Sequence, residues 1–182
     1  MPNEYLSDAI KEAYATAPGK LIYDTIEMSH PSWIDPGTGD VVPIRVVSNK
    51  EAINAWLEAT APYDPGEEVT FSAYPFTFRK PDMDPDTLPQ IEIVIDNVTG
   101  EIIKYVEIAM QDPDRIMIIY RPYLEDDLTV PQINPPMTLW ATNIVADLYT
   151  IQMRATYGDM FNKSFPSELY TTERFPGLIG TS

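Results

Sequence analysis

Eighteen prolines, against only eight glycines, fall mostly between the apolar runs of this chain. A proline fixes its own φ and has no N–H to donate, so it is costly inside a helix or a central strand. A chain interrupted this often can build only short elements joined by stiff loops, which favours many strands over a helical bundle. The runs between the prolines are rich enough to fold. At 44% hydrophobic and 11% aromatic, the 182 residues can supply the core of one domain. The expected class is α+β, mainly β.

Read along the chain, Leu6, Ile10, Ala13 and Ala17 recur at helical spacing, which predicts a helix over 4–16 that Pro18-Gly19 ends. Leu21–Met28 and Val41–Val47 read as strands. The Asp35-Pro36-Gly37-Thr38-Gly39-Asp40 turn between them predicts a hairpin with a loop of a few residues. Ser48 and Glu51 have capping-box spacing, so a short helix or turn is expected over 50–59 with Ile53, Trp56 and Leu57 facing inward. Residues 69–78 are mixed, and Pro75 limits them to an edge or a bend. Lys80–Pro89 reads as a polar loop.

Ile91, Ile93 and Ile95 alternate as a strand, and a turn at 96–100 leads into a helix. Thr99 is its expected cap, Glu101 suits its first turn, and Ile102, Val106 and Ala109 form its buried stripe. Arg115–Arg121 is apolar on both faces and should be a central strand. Residues 137–145 and 147–156 read as two strands paired through a tight turn near Ala146-Asp147. The expected organisation is an N-terminal helix or arm over 1–19, a β domain over 20–157 with a helix at 99–110, and an extended C-terminal arm over 158–182.

Charge narrows the partners. Twenty-eight acids against twelve bases give a formal net charge of −16, so no overall positive field is available to hold nucleic acid. Such a surface gives solubility, or it lets nucleic acid pass without sticking. There is no cysteine, which excludes disulfides and thiolate metal sites and fits synthesis in a reducing cytoplasm. The first residues show no basic leader or apolar signal core, and the longest apolar run, Ile116–Tyr120, is far short of a membrane span, so no membrane anchor is expected.

No motif reaches the threshold for catalysis. The only histidine, His30, has no Gly-x-Ser-x-Gly elbow to serve, and reads as a structural histidine at a strand end. Asp82-Met83-Asp84-Pro85-Asp86 starts like a calcium loop. The frame then fails at Thr87, where glycine is needed, and at Ile93, where a bidentate glutamate belongs. Glu125-Asp126-Asp127 reads as a solvated acidic loop. Trp33, Trp56 and Trp140 could be carbohydrate platforms, but such residues more often fill cores or contacts. No nucleotide-binding loop is present. The expectation is no catalytic residue, no cofactor and no metal.

Four stretches together carry a family resemblance. Ile91-Glu92-Ile93-Val94-Ile95-Asp96-Asn97-Val98 with its following helix, Pro43–Asn49, Phe71–Phe76, and the closing Phe165-Pro166-Ser167, Tyr170-Thr171 and Arg174–Leu178 run in one order over about residues 20–180. The chain resembles phage proteins of the DUF1833 type. That resemblance implies a minor tail protein of long-tailed phages, a virion component made in the host cytoplasm. It would form a ring at the tail tip between tube and hub, near the tape measure. It also implies a tail-tube-like β-sandwich or barrel with one or two flanking helices.

On this reading six copies, or alternatively three, close around the axis. Phe161, Phe165, Tyr170, Phe175 and Leu178 of the arm are interface candidates. Asp82, Asp84, Asp86, Glu125, Asp126 and Asp127 are candidates to face the lumen, through which DNA passes without specific binding. The alternatives are a receptor- or carbohydrate-binding tail module, a tail completion protein at the head-proximal end, and a cell-wall hydrolase at the tip.

Overall fold

The computed structural model describes residues 21–79, 90–96, 100–147 and 149–157. The expected helix at 4–16, the loop with Asp82, Asp84 and Asp86, the cap Thr99, and the arm with Phe161, Phe165, Tyr170, Phe175 and Leu178 lie outside them.

Nine strands and one helix follow in chain order. They are β1 (Ile22–Ser29), β2 (Ile44–Val47), β3 (Ile53–Trp56), β4 (Glu68–Ala73), β5 (Phe76–Arg79), β6 (Gln90–Asp96), α1 (Glu101–Ala109), β7 (Met117–Leu124), β8 (Met137–Ala146) and β9 (Thr150–Tyr157). The class is mainly β with a helix, as the proline spacing implies. The strands form one mixed sheet in the order β3-β4-β2-β1-β7-β8-β9-β6-β5. All its pairings are antiparallel except β2 with β4.

This sheet must roll, and chain geometry shows why. β4 is second in the order and β5 ninth. Seven spacings of about 4.8 Å would set them roughly 34 Å apart on a flat sheet. Yet only Tyr74 and Pro75 separate them in sequence, and three Cα steps reach about 11 Å at most. The roll brings β5 over β7, where the Phe78 and Tyr120 rings stack at 4.5 Å. Ser48 Oγ donates to the Phe76 carbonyl across the seam at 3.0 Å. The result is a curled open sheet and not a closed barrel, because β3 and β5 do not pair with each other.

The larger core fills the roll. Ile26 and Met28 of β1, the Ile91-Ile93-Ile95 alternation of β6, Ile118 of β7 and Ile151 and Met153 of β9 meet there, capped by Ile102, Val106 and Ala109 of α1. The helix starts at Gly100, whose φ of 70° is the left-handed conformation that glycine adopts without strain. A smaller core lies on the other face, where Val47, Ile53, Leu57, Val69, Phe71 and Tyr123 pack together.

β7 is the middle strand, as its two apolar faces predict. Pro122 is tolerated in it because the β7–β8 ladder ends at Tyr120↔Met137, so no ladder bond calls for its missing N–H, while its carbonyl accepts from Gln132 N–H at 2.9 Å. The β8–β9 hairpin also forms as expected, closed by Asp147 N–H to the Thr150 carbonyl at 2.8 Å.

Two local expectations need correction. Residues 50–59 contain a strand, not a helix. Ile53, Ala55 and Leu57 are buried while Asn54 and Trp56 are exposed, a period of two. The capping-box spacing misleads because Ser48 spends its hydroxyl on Phe76. Trp56 accordingly faces outward at 44% exposure. The β1–β2 hairpin exists, but its connection spans residues 30–43, with only the Ile34↔Val41 bridge near the tip. A turn at His30, closed by Trp33 N–H to the His30 carbonyl, diverts the chain so that Trp33 can enter the core.

Candidate functional site

The chemistry of this chain concentrates on the second face of the sheet. Period-two alternation puts Glu27 of β1, Arg45 of β2 and Arg121 of β7 on one side, next to the smaller core. The loop after β3 adds Glu58 and Asp64. Arg121 is fully buried and donates through Nε and Nη2 to the two oxygens of Glu58, each at 2.8 Å. Arg45 donates to Glu27 at 2.7 Å and to Asp64 at 2.7 Å. Glu27 Oε1 lies 3.3 Å from Arg121 Nη1, an ion pair without hydrogen-bond geometry.

Burial pushes the Arg121 guanidinium down. The hydrogen bond to Glu58 and the charge of Glu27 outweigh that and hold it above its ordinary value. This network sets two guanidiniums among three carboxylates and works as a clamp. It ties the 57–66 loop to the middle strand and leaves the loop's outer face to solvent.

Tyr123 belongs to the same cluster and donates to the Trp56 carbonyl at 2.8 Å. Burial is the main cause that raises its phenol above the usual range. As pH rises past about 10 the unfolded chain sheds this proton while the folded chain keeps it. The stability that Tyr123 contributes is therefore complete at lower pH and falls away in alkali. An absorbance titration should show one tyrosine silent until the protein unfolds, and Tyr123→Phe should remove that late step.

Above the clamp, three backbone bonds gather one exposed end of the molecule. Trp56 N–H donates to the Leu128 carbonyl at 2.9 Å, Leu57 N–H to Glu67 at 2.9 Å, and Glu125 N–H to Leu21 at 3.0 Å. Leu21 is 60% exposed, Trp56 44% and Val130 56%. Glu68 is the cross-strand partner of Trp56. The acidic run predicted to be a loop is one. Glu125 and Asp126 are exposed, and Asp127 Oδ1 accepts from Thr129.

The other sequence-derived candidates are elsewhere. His30 is fully buried at the end of β1, and its Nδ1 accepts from Ser32 N–H at 3.2 Å. Ser32 Oγ donates to Asp112 at 2.5 Å. That bond, with the Asp114 N–H and the nearby His30, holds the Asp112 carboxyl below its ordinary value. Trp33 is buried and donates through Nε1 to the Tyr105 carbonyl at 2.7 Å, so it is no carbohydrate platform. Trp140 is half-buried and lines a 210 Å³ hollow with Tyr63, Asp114 and Arg115.

A second cleft of 250 Å³ runs between α1 and β2–β4, with Tyr74 donating to Glu101 across it at 3.0 Å. Among the described residues no group of three metal-ligating side chains converges. No sequence signal marked the clamp, because Glu27, Arg45, Glu58 and Arg121 come together only through pairing of distant strands.

The family model of DUF1833, a domain of unknown function, matches the chain over residues 9–170. No curated protein matches it.

Proposed function

The chain belongs to the DUF1833 family, and with that as premise we propose that it is a structural ring subunit of a bacteriophage tail, sited at the tail tip between tube and hub. The phage assignment comes from the motifs described above, whose resemblance implies a minor tail protein. What carries the reading within the fold is the sheet made by β6, β9 and β8. Its inner face packs the core with Ile93 and Met153, while its far side carries Glu92, Asn143, Gln152 and Arg154. An antiparallel sheet with one buried face and one mainly polar face, on which Val94 and Val145 flank Gln152, suits the wall of a water-filled channel.

Copies related by rotation would close a ring, six being the favoured number, against tube, hub and tape-measure neighbours. A net charge of −16 favours passage of DNA over adhesion. The role assigned is structural, with no catalysis. The test is electron microscopy of purified tails carrying a tag on this subunit. The expected result is label at one level near the tip with rotational symmetry; particles without the subunit would overturn the reading.

A receptor- or carbohydrate-binding tail module is the second reading, favoured by the hollow where Trp140 meets Tyr63, Asp114 and Arg115. Label on a peripheral fibre, in place of the axial ring, would support it.

A further inference from the structure

The exposed end built on the clamp combines two features that seldom share a surface without use. Leu21, Trp56 and Val130 present apolar side chains to water on segments joined by backbone hydrogen bonds. Glu67, Glu68 and Glu125 stand on those same segments, all exposed. Trp56 and Glu68 are direct cross-strand partners, so the aromatic and the charge share one face of the β3–β4 pair. Among the described residues, the cations bonded nearest this end are Arg45 and Arg121, and both are committed to the clamp beneath. The edge strand itself is blunted, because the Trp56 N–H and carbonyl are taken by Leu128 and Tyr123. Recognition here therefore proceeds through side chains and not by adding a strand.

We propose that this end is a docking surface for a basic protein segment of another polypeptide. Its apolar side chains would cover Trp56, Leu21 and Val130, and its lysines or arginines would face Glu67, Glu68 and Glu125. Charge complementarity selects the occupant. A second copy would bring the same acids to the same place, from a chain with 28 acids and 12 bases, and like charges across an interface are unfavourable. A desolvated tryptophan inside a polar rim is the usual composition of an interface hot spot. The inference sets Glu125 against a protein segment instead of a lumen. It does not depend on the level this protein occupies in a virion, so it fails separately from the tail assignment.

The test uses the full chain and a labelled synthetic peptide alternating lysine with leucine, read by fluorescence anisotropy. Controls are a lysine–serine peptide and a glutamate–leucine peptide. The lysine–leucine peptide should bind and the glutamate–leucine peptide should not. Trp56→Gln and the pair Glu68→Lys with Glu125→Lys should each weaken binding about tenfold or more, while Trp56→Phe should keep it. Raising salt from about 0.05 to 0.5 M should weaken binding as the charges are screened.

Val130→Ser is the second apolar variant should Trp56→Gln lower the melting temperature. Equal binding of the lysine–serine peptide would reduce the effect to diffuse charge and overturn the proposal. So would wild-type affinity in the Trp56 and Val130 variants. Self-association of the wild type that Trp56→Gln abolishes, without peptide binding, would assign the surface to a second copy instead.

Discussion

Arg121→Met should lower the free energy of unfolding by about 3–5 kcal/mol, read as a shift in the urea midpoint with little change in slope. The size follows from what the substitution leaves behind. Arg121 is fully buried and fork-bonded to Glu58, and Glu27 sits beside it at 1% exposure. Removing the guanidinium strands the Glu27 carboxylate with Arg45 as its remaining cation and leaves the 57–66 loop without its Glu58 anchor, held on the charged side by Arg45 to Asp64 alone. Most of the cost is that of an under-compensated buried charge and not the worth of the pair itself. Combining Arg121→Met with Glu27→Gln should therefore recover part of the loss.

Arg121→Lys should fall between, since an ammonium keeps the charge but cannot make both parallel bonds to Glu58. A loss below about 1 kcal/mol for Arg121→Met, the range of exposed pairs, would mean the clamp does not hold the loop.

The second large effect is expected at Trp33. Its indole is 1% exposed, meets Tyr105 edge-on at 5.6 Å and donates to that residue's carbonyl. Its backbone also accepts from Val42 at 2.8 Å. One side chain thus fastens the 30–43 connection to α1, which itself covers the core with Ile102 and Val106. Trp33→Ala should cost about 3–5 kcal/mol through lost burial and the cavity left behind. Trp33→Phe keeps most of the packing and loses the N–H bond, so about 1 kcal/mol is expected. Hydrogen exchange should show α1 amides opening more readily in Trp33→Ala than those of β6. Uniform loss of protection would mean that Trp33 supports the whole core and not the helix attachment.

Both sites show how far the sequence can be read. Trp33 was legible as a candidate for the core, but not as the residue that fastens the 30–43 connection to α1. Its burial depends on a turn at His30 that the strand pattern of Leu21–Met28 does not announce, and on a helix more than seventy positions away. Arg121 was legible only as the end of a central strand. An arginine at the close of an apolar run looks like a strand terminus. It is interior here because β7 continues through Pro122 to Leu124 and pairs with β1 along that whole length. The 50–59 segment went astray because a capping-box spacing outweighed a period-two alternation only a few residues long. Of the acidic candidates, Glu125–Asp127 were correctly read as a loop, but what they stand beside was not readable.

By itself the sequence determined that this chain is mainly β, that its strands are short, where most of them lie, which face of β6 and of α1 is buried, and that β7 is central. These follow from proline positions and side-chain periodicity, which act over neighbouring residues. Only the tertiary structure decided that β2 and β4 run parallel, that β6 pairs with β9, and that the sheet rolls until β5 lies over β7. It also decided that an arginine, Arg121, is built into the interior while a tryptophan, Trp56, is left outside. Those choices belong to the burial of the whole chain at once. Partner, direction and register are set by which arrangement removes the most apolar surface while leaving each buried charge opposite another, and no local stretch of sequence holds that information.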